Sequence, residues 1–121
     1  MKLALVSGAI FMALAVAFGA FGAHILKELV SPSDFLTFEK AVRYHFWHAL
    51  GLLVIGAIGF HVSYDVLIIP VYLIMFGIIF FSGSLYLLVI TNTRWLGAVT
   101  PFGGTAFIIA WVLLAYQLYR A

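Results

Sequence analysis

The side chains best able to take part in chemistry lie close together, between positions 39 and 48. This stretch holds five of the fourteen ionisable side chains, which comprise ten charged residues and four histidines: Glu39, Lys40, Arg43, His45 and His48. It leads without a break into the apolar residues 50–58. A polar group placed against an apolar segment is typical of the end of a membrane-spanning helix, where ionisable side chains pair with each other or face the protein interior.

Glu39 and Arg43 are four residues apart, so their side chains point about 40° apart on a helix and can form an ion pair. One interpretation is structural, because charges close to hydrocarbon are costly unless they are paired. The other is functional, with the pair lining a polar cavity for an ion, a lipid headgroup or a proton.

His45 and His48 point about 60° apart on the same helix, on the side opposite to Glu39 and Arg43. A relay that includes all four side chains therefore needs a group from another helix, and we expect His24 to point inward and supply it. The structural alternative is that each histidine is a hydrogen-bonded interfacial side chain. The candidate polar cluster, or ligand- or lipid-binding set, is His24, Glu39, Arg43, Tyr44, His45, His48 and Arg94.

No catalytic residues are predicted. The chain lacks a glycine-rich phosphate loop, a nucleophile elbow and paired catalytic carboxylates. It has no cysteine, and a His-x-x-His spacing without nearby carboxylates or thiolates is weak support for a metal site. We therefore expect neither a metal nor a cofactor, and an enzyme is the least favoured class.

The composition indicates a membrane protein. Apolar residues make up 66% of the 121 residues and charged residues 8%, whereas soluble domains are about half apolar and a quarter charged. The length allows one domain. No basic stripe or nucleic-acid-binding motif is present, so nucleic acid is not an expected partner.

Four apolar segments are predicted to form a single transmembrane domain with an all-α, four-helix bundle fold and short loops. About 20 residues at 1.5 Å each cross the hydrocarbon core. The first run exceeds the core of a signal peptide, which favours a retained span. Helix two is extended by an interfacial amphipathic N-terminal part beginning at Pro32, with Ser31 as its N-cap. Tyr44 and Trp47 then place the membrane boundary near residues 43–48. The predicted spans are residues 3–23, 44–62, 66–90 and 100–119.

Small residues form two seams along the first helix. Because helices in lipid approach each other best where side chains are short, two seams predict two close neighbours and a position inside the bundle. Residues 103 and 104, both glycine, likewise predict close backbone approach in the last segment. The first-helix seams are Ala9, Ala13, Ala17, Ala20 and His24, and Ala4, Gly8, Ala15, Gly19 and Gly22.

Four spans place both termini on one side of the membrane. The loops after helices one and three carry four Lys or Arg residues, and the terminal side carries two: Lys27, Lys40, Arg43 and Arg94 against Lys2 and Arg120. The positive-inside rule predicts these two loops in the cytoplasm and the termini outside.

Four stretches carry a family resemblance: residues 19–24 (GAFGAH), 38–44 (FEKAVRY) followed by His48-Ala49, 81–86 (FSGSLY) and 94–104 (RWLGAVTPFGG). Together they resemble the small integral-membrane family called domain of unknown function 423, which includes transmembrane-protein-256-like members. Ile25 departs from the family pattern, which has glycine after the histidine. The resemblance implies a four-helix protein of bacterial plasma (inner) membranes or related eukaryotic membranes, without an established activity.

Three functions remain open. The first is a structural, interaction or accessory protein whose partners are the lipid bilayer and further copies of itself or a larger membrane complex. The second is a transporter or binding protein for a small solute, ion or lipid, using Glu39, Arg43 and His24. Small multidrug exporters carry a membrane-embedded Glu in helix one, and residues 3–23 contain no acid. The third is lipid or quinone binding near Tyr44, Trp47 and Trp95, which no motif supports.

Overall fold

The computed structural model describes all 121 residues as a bundle of helices without β-strands. A π-helical segment, Ile78–Gly83, joins α3 to α4 without a break, so that the two form one rod from Tyr64 to Thr91. The four rods are each long and apolar enough to cross a membrane, which confirms the all-α four-helix fold. The α-helices are α1 (Lys2–His24), α2 (Pro32–Ile58), α3 (Tyr64–Gly77), α4 (Ser84–Thr91) and α5 (Thr100–Arg120).

Local sequence sets the helix ends. Ser31 accepts a hydrogen bond from the Asp34 backbone N–H at 3.1 Å and Pro32 takes the first helical position, as the cap signal predicts. At the end of α4, Asn92 adopts a left-handed conformation with φ of 54°, a common way to stop a helix. A short 3₁₀ turn, Arg94–Ala98, precedes α5.

Helices α1 and α2 pack antiparallel through small residues. A Cβ added to Gly56 would lie 2.6 Å from the Leu5 side chain, and one added to Gly22 would lie 2.8 Å from the Phe38 ring. The predicted seam at positions 4, 8, 15, 19 and 22 is therefore the surface that meets α2. Close approach of the two backbones requires those short side chains.

The other seam of α1 has no neighbour, so the predicted position of α1 inside the bundle is wrong. Ala9, Ala13, Ala17 and Ala20 are all exposed, and α1 packs its length along α2 alone. It contacts α4 through side chains only. Phe18, for example, stacks on Tyr86 with ring centroids 4.3 Å apart. Helix periodicity places residues on a face but does not decide which face a neighbour covers.

The central helix is α2. One buried cluster joins it to α3 and α5 through residues such as Leu52 and Ile74, and a second joins it to α4 through Phe38 and Leu85. The rods containing α3 and α5 come closest where Gly103 faces the backbone of Phe81, in the π-helical segment. Side chains on the inner face of α2 are consequently sealed between helices.

Candidate functional site

The predicted polar cluster is not assembled in the structure. Glu39 and Arg43 form no ion pair. They line a shallow groove of about 220 Å³ between α1 and α2, beside Gly19 and Gly22. His24 is exposed at the end of α1. Its predicted inward orientation is wrong, because it belongs to the α1 seam that no helix covers.

The ion pair of the structure lies at the loops. Arg94 donates from Nη2 to Asp34 Oδ2 at 2.6 Å and from Nη1 to Oδ1 at 2.9 Å, and its Nε–H donates to Asn92 Oδ1 at 2.7 Å. Such a two-pronged guanidinium–carboxylate contact fixes geometry as well as charge. It ties the loop after α4 to the start of α2 at one end of the bundle.

His48 has a hydrogen-bond partner at both ring nitrogens. Its Nδ1 lies 2.7 Å from the Tyr44 carbonyl oxygen, and the Trp111 indole N–H donates to its Nε2 at 3.0 Å. A carbonyl only accepts and an indole N–H only donates, so His48 is neutral with its proton on Nδ1. The ring also stacks on Phe107 at 3.5 Å. His48 thereby fastens α2 to α5 and has no nitrogen left for a ligand.

His45, three residues earlier, is only half satisfied. It is 3% exposed, and its Nδ1 lies 2.8 Å from the Tyr86 hydroxyl on α4. Its Nε2 is buried without a hydrogen-bond partner. Leaving a buried donor or acceptor unpaired costs about 1–3 kcal/mol. An unpaired buried polar group of this kind is uncommon and calls for a reason.

The tautomer of His45 follows from its neighbour. Nδ1 of His45 is the one acceptor within hydrogen-bond distance of the buried Tyr86 hydroxyl, so that hydroxyl proton must go to it. Nδ1 is then the acceptor, and the proton of the neutral ring sits on Nε2. The unpaired atom of His45 is thus an N–H donor.

The π-helical segment brings Tyr86 to His45. Within it, Ser82 donates its hydroxyl to the Ala41 carbonyl on α2 at 2.7 Å. Just after it, Ser84 bonds both the Phe81 carbonyl and the Thr100 hydroxyl. A π-bulge changes the register of a helix by one residue and is frequent at functional sites. Here it joins the α3–α4 rod to α2 and α5 around the two histidines.

The antiparallel pairing sets the depth of this centre. Met1 lies beside Gly56 and Gly59, and Gly22 lies beside Phe38, so the apolar run of α1 runs alongside residues 38–58 of α2. His45 and His48 therefore lie opposite the middle of the apolar run of α1, where Phe11 contacts the His45 ring. The boundary near residues 43–48 stays a prediction; Trp47, one of the two aromatic residues that mark it, faces outward from α2.

Comparison with known proteins gives the family. A family model described as a protein of unknown function (DUF423) matches residues 18–104. The chain belongs to the DUF423 family. Its match spans the π-helical segment, both buried histidines and the Arg94 loop, and confirms the resemblance drawn from the sequence.

Relatives of this DUF423 protein are named UPF0382 membrane proteins. One from Staphylococcus epidermidis is 48% identical over 114 residues, which cover 94% of this chain and 93% of the relative. One from Staphylococcus saprophyticus is 43% identical over 120 residues, 99% of each chain. YwdK of Bacillus subtilis is 43% identical over 115 residues, 94% of each chain. No solved structure matches. With four spanning helices, the DUF423 protein is an integral membrane protein with bacterial relatives.

Sequence reasoning missed two participants in the site of this DUF423 protein. Tyr86 and Trp111, which hold His45 and His48, are 41 and 63 residues away from those histidines in the chain. In the sequence, the π-helical segment is marked by Ser82-Gly83-Ser84, which interrupts the third apolar run. Nothing local marked Tyr86 or Trp111 as hydrogen-bond partners.

Proposed function

We propose that this protein is a structural or interaction component of membrane assemblies, and that it associates with a second copy of itself through α1. The observation that carries the proposal is the exposed small-residue seam Ala9, Ala13, Ala17 and Ala20. We place this association in the bacterial plasma membrane, in keeping with the Staphylococcus and Bacillus relatives.

The spacing of the seam suits a helix–helix contact. Positions 9, 13 and 17 repeat every four residues, so their methyl groups form one strip along the helix. In lipid, helix association depends on packing rather than on a hydrophobic drive, and short side chains allow two backbones to approach. The larger exposed side chains Ile10 and Val16 flank the strip and form the ridges of a shallow furrow. Two copies related by a twofold axis would present the same surface to each other.

Substitution within the seam tests the proposal. Ala13→Leu places a bulky side chain at the centre of the strip without touching the bundle. Ala115→Leu, at an exposed position on α5, adds the same bulk on a different lipid-facing surface. We expect Ala13→Leu to raise the dissociation constant of the dimer in liposomes about tenfold, equivalent to about 1.4 kcal/mol, and Ala115→Leu to leave it unchanged. The dimer fraction is measured by energy transfer between labelled copies as the lipid-to-protein ratio rises.

A monomer at every dilution in the unmodified protein would refute the proposal. Equal loss of dimer in both variants would also count against it, because added bulk anywhere on the lipid-facing surface would then explain the loss.

A second candidate function is recognition of a polar solute, ion or lipid headgroup at Glu39 and Arg43. The observation in its favour is that both side chains line the 220 Å³ groove between α1 and α2. Glu39→Gln and Arg43→Ala in liposome flux or lipid-binding assays test it, and we expect each to reduce the activity. Unchanged activity in both variants would remove this candidate.

A further inference from the structure

The groove between α1 and α2 carries two opposite charges that the protein itself does not pair. Glu39 and Arg43 both line it. Neither forms an ion pair, because the chain has a single one, between Arg94 and Asp34. Glu39 is partly buried and Arg43 is exposed. Since charges close to hydrocarbon are costly unless they are paired, the groove offers one anionic and one cationic partner to a molecule from outside the chain.

The two charges follow each other along α2 in a fixed order. This helix begins at Pro32, so Glu39 lies about 6 Å nearer that end of the bundle than Arg43, at 1.5 Å per residue. Their side chains point only about 40° apart. A ligand that meets both must therefore carry its negative group toward the middle of the bundle and its positive group toward the end.

An exposed apolar stripe continues from Arg43 toward the middle of the bundle. Phe46, Leu50 and Val54 are 41%, 45% and 54% exposed. At 100° per residue, these three side chains lie within about 80° of Glu39 and Arg43 on one face of α2. From the middle to the end, this face is apolar, then cationic, then anionic. A phospholipid has the complementary order, because its chains lie in the hydrocarbon core and its phosphate and terminal group lie progressively nearer water.

The size of the groove suits a headgroup. Its volume of about 220 Å³ is below the range of about 300–1,000 Å³ for whole organic ligands. Gly19 and Gly22 form part of the wall, and both belong to the α1 seam that meets α2, apart from the proposed dimer surface. A Cβ on Gly19 would lie 3.5 Å from the Val42 side chain, an ordinary contact. Packing therefore does not require this glycine, and its lack of a side chain leaves space in the groove.

Two further cations lie at this end of the bundle. Lys27 Nζ is 5.9 Å from the centre of the Phe35 ring, and Lys40 is exposed, but neither lysine lines the groove. They give every anionic lipid a general attraction. Within the groove, however, Glu39 repels a second negative charge. A head that combines one phosphate with one ammonium satisfies both side chains of the groove.

We propose that the groove binds the headgroup of a phosphatidylethanolamine, with its phosphate on Arg43 and its primary ammonium on Glu39. The acyl chains lie along the apolar stripe of α2. Guanidinium N–H groups match phosphate oxygens, and an ammonium donates charge-assisted hydrogen bonds to a carboxylate. This inference rests on the second candidate function, which it narrows to one headgroup chemistry, and it is independent of association through α1.

The test is native mass spectrometry of the full-length protein in detergent micelles, titrated with three lipids that carry the same dioleoyl chains. Phosphatidylethanolamine has a primary ammonium, phosphatidylcholine has a trimethylated one without N–H donors, and phosphatidylglycerol has none. We expect the dissociation constant for phosphatidylethanolamine to be at least about tenfold lower than for either other lipid. Soluble phosphoethanolamine, which lacks the chains, should not displace the lipid at equal concentration.

Single variants assign the two contacts. Glu39→Gln removes the partner of the ammonium, so it should weaken phosphatidylethanolamine about tenfold and should not weaken phosphatidylglycerol. Arg43→Gln removes the partner of the phosphate and should weaken both lipids. Lys40→Gln is the matched control, because it removes a neighbouring exposed charge outside the groove. It should leave the preference for phosphatidylethanolamine unchanged.

A double variant tests the order of the charges. Glu39→Arg combined with Arg43→Glu keeps both charges in the groove and reverses their positions along α2. It should abolish the preference for phosphatidylethanolamine, because the phosphate would then meet a carboxylate. The thermal midpoint of each variant shows whether the bundle is intact.

Four results would overturn the inference. Equal affinity for phosphatidylglycerol, with both lipids weakened in Arg43→Gln, would leave headgroup recognition standing but not this headgroup. Unchanged affinities in Glu39→Gln and Arg43→Gln would remove the second candidate function as well. Displacement by free phosphoethanolamine at equal concentration would assign the groove to a soluble compound. A preference that survives the double exchange would show that the order of the charges does not select the lipid.

Discussion

Two histidines three residues apart on one helix have different chemical states because their neighbours differ. His48 has a carbonyl on one nitrogen and an indole on the other, whereas His45 has a tyrosine hydroxyl on one and nothing on the other. The helical period alone placed both on the side opposite to Glu39 and Arg43. The sequence did not show which histidine has a ring nitrogen without a hydrogen-bond partner, because Tyr86 and Trp111 lie on other helices.

At the residue scale, the Trp111–His48 contact gives a direct prediction. Trp111→Phe removes the indole N–H and leaves the buried Nε2 of His48 without a donor. We expect the free energy of unfolding to fall by about 1–3 kcal/mol, the usual cost of an unpaired buried polar group. The measurement is reversible unfolding in mixed detergent micelles, followed by circular dichroism.

Trp47→Phe is the matched control for this loss. Trp47 is 53% exposed and makes no hydrogen bond within the bundle, so the same chemical change there should alter stability little. Similar destabilisation in both variants would mean that the loss of indole area, and not the hydrogen bond to His48, accounts for the effect.

At the element scale, the contact between α5 and the π-helical segment depends on one glycine. The pair Gly103-Gly104 indicated close backbone approach from the sequence, but not which of the two makes it. In the structure a Cβ on Gly103 would collide with the backbone of Phe80 and Phe81, whereas a Cβ on Gly104 would lie 3.6 Å from the Phe81 ring, an ordinary contact. The position of the partner rod decides this difference, and no pattern in α5 indicates it.

Gly103→Ala should therefore be strongly destabilising, and Gly104→Ala nearly neutral. Backbone cannot move aside as a side chain can, so the added methyl group on residue 103 must push the two rods apart. We expect a loss of about 1–3 kcal/mol or more, as for overpacked cores, read as a lower thermal midpoint in detergent. A neutral Gly103→Ala would show that the rods are farther apart than the structure has them.

At the scale of the whole molecule, the number and type of helices followed from composition and segment length, but their arrangement did not. Small-residue seams on α1 were interpreted as evidence for two neighbours within the chain, and one of them faces outward. A seam that suits another helix carries no information about whether that helix belongs to the same chain. For the same reason the sequence did not show how far along the bundle the two histidines lie. The antiparallel pairing of α1 with α2 sets that position.

The orientation of the bundle in the membrane remains a prediction, and the absence of cysteine makes it simple to test. Ser33 lies at the start of α2, and Ser63 lies just before α3, near the other end of α2. Both are exposed, and neither side-chain hydroxyl caps a helix. Arg94, Lys40 and Lys27 lie toward the Ser33 end, so the positive-inside rule places that end in the cytoplasm. Ser63→Cys should react with a membrane-impermeant maleimide in intact cells, and Ser33→Cys only after permeabilisation. The reverse labelling pattern would mean that the charge excess at the Ser33 end does not set the topology.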